Sequence, residues 1–95
     1  MEDKRQFNRW SDDACAKAVV TCDAVREEAP ILDMSAGGMR VVLHHSINIG
    51  SVVYGQFNVL EYPYYIKGVV NRLVENQGSY ETAITFDKVS SLPLA

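Results

Sequence analysis

The stretch "YIKGVVNRLVENQGSYETAITFDKV" (residues 65–89) gives the clearest indication of the fold. Two strand-like segments in it flank a tight-turn signal. In residues 79–89, apolar and polar side chains alternate with a period of two, as expected for a half-buried strand. Between the two segments, Asn76, Gln77 and Gly78 have the Asn/Gly chemistry of a short hairpin loop. The stretch therefore predicts an antiparallel β-hairpin.

The same alternation runs through the chain before this hairpin. It predicts four further strands, at residues 14–24, 31–34, 39–45 and 51–62. We expect "REEAP" (26–30) to turn the chain between the first two strands and Pro63 to end the fourth. Six short strands without a convincing long helix predict an all-β fold, an antiparallel barrel or sandwich. A closed barrel would remove the exposed strand edges.

Length and composition indicate one globular domain. A chain of 95 residues forms a single modest core, and 47% hydrophobic against 22% charged residues argues against disorder. The net charge of −3 disfavours a general affinity for nucleic acid or an anionic membrane, so an anion site must be built locally. There is no apolar run of about 18 residues and no signal peptide in "MEDKRQFN" (1–8), so we expect a cytoplasmic domain.

The cysteine and histidine residues predict neither a disulfide nor a metal site. Cys15 and Cys22 are seven apart, so one continuous strand would point them to opposite faces as free thiols. His44 and His45 are adjacent, and on a strand they would also point to opposite faces. No face then collects three good zinc ligands. Without an acid/base pair or a nucleophile elbow, we expect no enzyme.

A local concentration of cationic side chains begins the chain, in "KRQFNRW" (4–10). Arg5 and Arg9 are four apart, so their guanidinium groups face the same way on a helix or an extended segment. Each can donate paired hydrogen bonds to a phosphate or to the O6/N7 edge of guanine. The absence of a helix cap and helical pattern favours an extended or irregular arm, with both guanidinium groups aimed along a ligand. Taken alone, such a pair is more often solvated surface charge than a ligand site.

A second polar element is "DMSAGG" (33–38), where the second predicted strand ends. Asp33 and Ser35 share one face of the strand, while Gly37 and Gly38 permit positive φ and let backbone N–H groups approach an anion. A carboxylate, a hydroxyl group and accessible backbone N–H groups can form the hydrogen bonds that a purine edge and a phosphate require. The same residues also form the Asx and Ser/Thr turns that end strands, and the segment by itself does not separate these interpretations.

Taken together, the two elements resemble the signature of the PilZ family, which are bacterial receptors for cyclic di-GMP. The matching motifs are RxxxR (Arg5, Arg9) and DxSxxG (Asp33, Ser35, Gly38). The later segments "IKGVVNRLV" (66–74) and "YETAITFDKV" (80–89) resemble the closing hairpin of the family, so the resemblance covers nearly the whole chain. It implies one domain, a six-stranded antiparallel barrel, divided into a ligand-binding arm (1–10), the barrel (11–89) and a tail (90–95).

The resemblance also implies roles for these residues. Arg5 and Arg9 would grip guanine and phosphate groups, Asp33 would accept hydrogen bonds from a guanine N–H edge, and Ser35 would support the same base. Gly38 would leave room for ligand and backbone. The arm would become ordered over the barrel when cyclic di-GMP binds. The output would be a changed surface for a protein partner or a neighbouring domain, with no cofactor, no DNA or RNA partner and no membrane insertion.

The sequence departs from the family pattern in a few places. Many members have Gly where this chain has Ala83, and members often continue into a C-terminal helix where this chain has "SSLPLA" (90–95). Such a helix would be missing or truncated if the chain is a shortened protein or one domain of a larger one. Lys4 and Arg72 are candidate auxiliary contacts, and the motifs leave open whether one ligand or a stacked pair binds.

Two alternatives belong to other functional classes. Five Tyr residues, several of them in "EYPYY" (61–65), could stack single-stranded nucleic acid, but no basic stripe accompanies them. The stronger alternative is a degenerate PilZ-like module that binds a protein partner and no nucleotide. The complete set of motif residues argues against it, because degenerate members of the family tend to lose these positions.

Overall fold

Residues 17–94 are described by a computed structural model, and this part of the chain is all-β. The six strands are β1 (Lys17–Cys22), β2 (Val25–Ser35), β3 (Gly38–Leu43), β4 (Val52–Val59), β5 (Tyr62–Asn76) and β6 (Ser79–Ser90). They close into an antiparallel barrel in the order β1-β2-β3-β6-β5-β4, with β4 paired back to β1. The predicted six-stranded antiparallel barrel is confirmed.

The hairpin of residues 65–89 forms as predicted. Asn76 pairs with Ser79 across a two-residue turn, and Gln77 and Gly78 adopt φ angles of 53° and 89°. Positive φ at both central positions matches the right-handed twist of the strands. A β-bulge after Val70 inserts one extra residue into β5 and shifts its register against β6.

The turn between the first two strands does not lie at "REEAP", and that prediction is wrong. The chain turns at Asp23 and Ala24, with Asp23 at φ 53°, a left-handed conformation that Asp tolerates. Residues 26–30 belong to β2 and pair with β1. Pro30 is exposed and lies within β2, opposite Lys17 of β1.

The fourth strand is also shorter than predicted. β4 ends at Val59, the chain turns at Leu60 and Glu61, and Pro63 lies within β5 opposite Asn58. Leu60 adopts φ 59° and is 73% exposed, so it forms a turn without contributing to the core. Because leucine is not a typical turn residue, the apolar alternation of the sequence continues through the point where the chain reverses.

The core fills the barrel with the inward-facing residues of all six strands and one residue of the β3–β4 loop. Its buried apolar members are Ala18, Val20, Ala29, Met34, Met39, Val41, Leu43, Ile47, Val53, Phe57, Ile66, Val70 and Ile84. Cys22 is a free, half-buried thiol at its edge, and burial, with a smaller contribution from Asp23, raises the pKa of Cys22. Cys15 lies outside the described residues.

Candidate functional site

Asp33 and Ser35 lie at the end of β2 on the outer face of the barrel, with buried Met34 between them. Their side chains therefore share one face, as the alternation predicts. The chain then turns at Ala36 and Gly37, and the Gly37 N–H donates a long hydrogen bond of 3.4 Å to Ser35 Oγ. The Ser/Thr turn that the sequence offered as one interpretation of this segment is therefore present.

The two glycine residues of "DMSAGG" have different surroundings. Neither Gly37 nor Gly38 uses the positive φ that glycine permits. A Cβ atom at Gly38 would lie 2.5 Å from the Ile84 carbonyl oxygen, whereas one at Gly37 would meet no heavy atom within 4 Å. Gly38 is therefore required for the close approach of β3 to β6, and the open space on the outer surface lies beside Gly37.

Arg40 is a functional candidate that the motif analysis missed. It lies on β3 directly opposite Asp33, and its Nε and Nη2 donate hydrogen bonds of 2.9 and 2.6 Å to Asp33 Oδ2. Its Nη1 donates to Glu81 Oε1 on β6 at 3.2 Å. The hydrogen bond to Asp33 is the largest cause that raises the pKa of Arg40. A two-residue turn at 36–37 in "DMSAGGMR" would have predicted this pairing of residues 33 and 40.

Asp33 begins a polar row that crosses four strands. Asp33 on β2, Arg40 on β3, Ala83 on β6 and Arg72 on β5 are successive pairing partners. The two arginine Cα atoms are thus separated by two interstrand spacings, about 10 Å. Ala83 is small and leaves a shallow pocket between the arginine side chains, lined by Arg40, Arg72, Val74, Glu81 and Ala83. Arg72 is exposed and forms no ion pair within residues 17–94.

A second row runs beside the first. Ser35 pairs with Gly38, which pairs with Thr85 on β6. Asn71, the extra residue of the β5 bulge, hydrogen-bonds through its side-chain amide to Thr85 Oγ1. Asn71 was also missed from the sequence, although the broken alternation of "VVNRLV" (69–74) is a bulge signal. The outer face of β2, β3, β6 and β5 therefore presents the carboxylates of Asp33 and Glu81, hydroxyl groups, an amide and two guanidinium groups.

A family model of the PilZ domain matches residues 3–92, nearly the whole chain. The chain belongs to the PilZ family. Members of this family are in general receptors for cyclic di-GMP, and their domain binds a ligand and does not carry out catalysis. A search of curated proteins found no match. In the part of this PilZ domain that the structure describes, no helix is long and apolar enough to cross a membrane.

The two motifs of this PilZ domain differ in whether the structure describes them. Arg5, Arg9 and the candidate auxiliary contact Lys4 all lie outside the described residues. The second motif, with Asp33, Ser35 and Gly38, is described in full. The geometry of the site is therefore that of the barrel face alone.

A separate polar cluster fastens the β3–β4 loop of the PilZ domain to β2. Glu27 Oε2 accepts a hydrogen bond from the His44 backbone N–H at 2.7 Å and lies 2.8 Å from His44 Nδ1, while Oε1 lies 2.9 Å from His45 Nδ1. The prediction that the two imidazoles point to opposite faces is wrong, because β3 ends at Leu43 and the chain bends at residues 44–45.

Glu27 in this cluster is held as a carboxylate. Burial of its side chain, which is 11% exposed, acts to raise the pKa of Glu27. The hydrogen bonds with His45 and His44 together outweigh burial and lower the pKa below its ordinary value. Over residues 17–94, no group of three or more His, Cys, Asp or Glu side chains could hold a metal ion.

Proposed function

We propose that this PilZ domain is a receptor that binds cyclic di-GMP on the outer face of β2, β3, β6 and β5. The observation that supports the proposal best is the polar row, in which Arg40 lies beside the Asp33 carboxylate and Arg72 lies two strands beyond Arg40, on an otherwise acidic protein. Cyclic di-GMP carries two guanines and two phosphates. A carboxylate beside cationic groups offers partners for both kinds of group.

Asp33 and Ser35 would recognise the base. An ionised carboxylate only accepts hydrogen bonds, and the Watson–Crick edge of guanine presents two adjacent N–H donors. Ser35 lies two residues away on the same face, where its hydroxyl can contact the same base. Gly38 would act indirectly by holding β3 against β6, and the free space beside Gly37 would admit the purine.

Arg5 and Arg9 would supply further guanidinium groups for the ligand, because Arg40 on the barrel face already bonds to two carboxylates. Their guanidinium groups would grip a phosphate and the O6/N7 edge of a guanine, and stack on the purine faces. Arg72, exposed and unpaired in the described part of the chain, is the barrel cation best placed to assist, with Lys4 as a second auxiliary contact. Local cations are needed because the net charge of −3 repels an anionic ligand.

The signal would be the ordering of the arm over the occupied face. Such a change alters the surface offered to a protein partner or neighbouring domain without any chemical step. The ordering subtracts from the binding free energy, because residues lose conformational freedom when the ligand is covered. The cytoplasmic bacterial setting expected from the sequence is part of this proposal.

Calorimetric titration with cyclic di-GMP tests the proposal and measures the stoichiometry. The wild type should bind saturably at micromolar concentration or tighter, and the double variant Arg5→Ala/Arg9→Ala should lose binding. Asp33→Asn should weaken binding about 10- to 100-fold, because hydrogen bonds to a charged group are lost. Asp23→Asn makes the same chemical change in the exposed β1–β2 turn, at the opposite end of β2 from Asp33, and it should bind like the wild type.

GTP provides the control for ligand specificity, since it carries one guanine and is not cyclic. It should neither bind with comparable affinity nor compete efficiently. Absence of saturable binding by a protein shown to be folded would contradict the receptor proposal. The module that binds a protein partner and no nucleotide would then be favoured.

A further inference from the structure

The free protein already uses part of the carboxylate that the ligand would need. Asp33 Oδ2 accepts two hydrogen bonds, from Arg40 Nε and Nη2, so its two lone pairs are occupied. Asp33 Oδ1 has no hydrogen-bond partner among residues 17–94. A guanine edge that donates two parallel N–H bonds requires both oxygen atoms. Full engagement of the base therefore requires Arg40 to leave Oδ2.

A second carboxylate is in place to receive Arg40. Glu81 Oε1 accepts a hydrogen bond from Arg40 Nη1, and Glu81 Oε2 has no partner within the described part of the chain. The side chains of Asp33, Arg40 and Glu81 are 30%, 47% and 39% exposed, so none is held by packing alone. Rearrangement of an ion pair this exposed costs little.

We propose that Arg40 is a positioning residue that moves from Asp33 to Glu81 when guanine engages Asp33, so that Glu81 sets ligand affinity through Arg40. The inference rests on the proposed function, because it assigns a role to residues beside the same site. In the free protein Arg40 keeps the Asp33 side chain oriented along the polar row. In the complex Arg40 pairs with Glu81, and Asp33 offers both oxygen atoms to the base.

The sign of the effect of Glu81→Gln separates this exchange from simple electrostatics. Removing a negative charge near an anionic ligand should tighten binding if charge alone matters. The exchange predicts weaker binding, because Arg40 then lacks a carboxylate to move to and competes more strongly with guanine. The strength of exposed ion pairs sets the expected loss of affinity at about 1.5- to 5-fold.

A double-mutant cycle on the whole chain measures the exchange. Cyclic di-GMP affinity is determined by calorimetry for the wild type, Glu81→Gln, Arg40→Gln and the double variant. Glu81→Gln should weaken binding only when Arg40 is present, and in the Arg40→Gln background it should leave affinity unchanged or tighten it. Glu75→Gln is the matched control, because Glu75 is an exposed acid of β5 opposite Tyr80 and does not contact Arg40.

The Nε–H resonance of Arg40 in ¹⁵N NMR spectra provides a direct readout of the bond to Asp33. Saturating cyclic di-GMP should shift this resonance in the wild type as the bond to Oδ2 is lost. Wild-type binding with a tightened or unchanged Glu81→Gln variant, or with an unmoved Arg40 resonance, would overturn the exchange and leave the receptor proposal standing. Absence of wild-type binding would overturn both.

Discussion

Gly38→Ala should destabilise the barrel severely, whereas the adjacent Gly37→Ala should not. A Cβ atom at Gly38 would lie 2.5 Å from the Ile84 carbonyl oxygen and 3.5 Å from Thr85 Cα. Real Cβ atoms essentially never approach within 3.0 Å. The obstacle is the backbone of β6, which is paired on its other side with β5 and cannot rotate away as a side chain can.

The size of the effect follows from the separation that β3 and β6 must undergo. To lengthen the contact between the Cβ atom and the Ile84 carbonyl oxygen from 2.5 to 3.0 Å, the two strands must move apart by at least 0.5 Å. The neighbouring hydrogen bond from Phe86 N–H to the Gly37 carbonyl, now 2.9 Å, would stretch beyond the normal range. Weakening one or two such bonds and straining the packing gives a loss of about 2–4 kcal/mol in the free energy of unfolding. In a domain of this size, the melting temperature should fall by roughly 10–30 °C.

Urea and thermal unfolding followed by circular dichroism measure both variants against the wild type. Gly37→Ala meets no heavy atom within 4 Å and needs no positive φ, so it should be neutral or stabilise by about 0.4–1 kcal/mol. Equal unfolding free energies for the two variants would refute the close approach of β3 and β6. Because Gly38 also belongs to the DxSxxG motif, loss of ligand binding in Gly38→Ala alone would not demonstrate a ligand contact.

Two further predictions concern the loop cluster and the core. Glu27→Gln should lower the free energy of unfolding at pH 7 by about 1–3 kcal/mol, because hydrogen bonds to a charged carboxylate are lost. The pKa of Glu27 is lowered, so its stabilisation is present above the ordinary carboxyl pKa and is lost as pH falls through the folded value. Urea unfolding at pH 7 and pH 3 should therefore show the variant approaching the wild type in acid, and a constant difference would contradict this. Leu43→Ala, at a fully buried position, should cost about 2–5 kcal/mol by the same assay, and the half-buried Val42→Ala clearly less. Similar losses in both would contradict the assignment of β3 faces.

Much of the barrel could be predicted because alternation reports which face each side chain occupies. Met39, Val41 and Leu43 share one face of the strand predicted at residues 39–45, and all three are buried. The hairpin at Gln77 and Gly78 was recognisable because its turn residues adopt a conformation that few others tolerate. Face and turn type are local properties, so a single sequence contains them.

The errors share a physical cause. Leu60 adopts a left-handed conformation although leucine is not a typical turn residue, and Pro30 lies within β2 opposite Lys17. His44 and His45 approach the same carboxylate because the chain bends after β3 and Glu27 draws both towards β2. In each case residue type and local alternation do not report where the backbone turns or bends in the folded chain.

The sequence by itself determined the all-β class, the faces of most strands and the two motifs that indicate a PilZ domain. Only the tertiary structure shows that β6 lies between β3 and β5. This strand order brings Glu81 to Arg40, which is 41 residues away in the chain, and places Arg72 in the same row as Asp33. The physical reason is that periodicity specifies which way a side chain points but not which strand lies beside it. That neighbour is set by barrel closure and by the bulge at Asn71, whose register depends on the packing of the whole core.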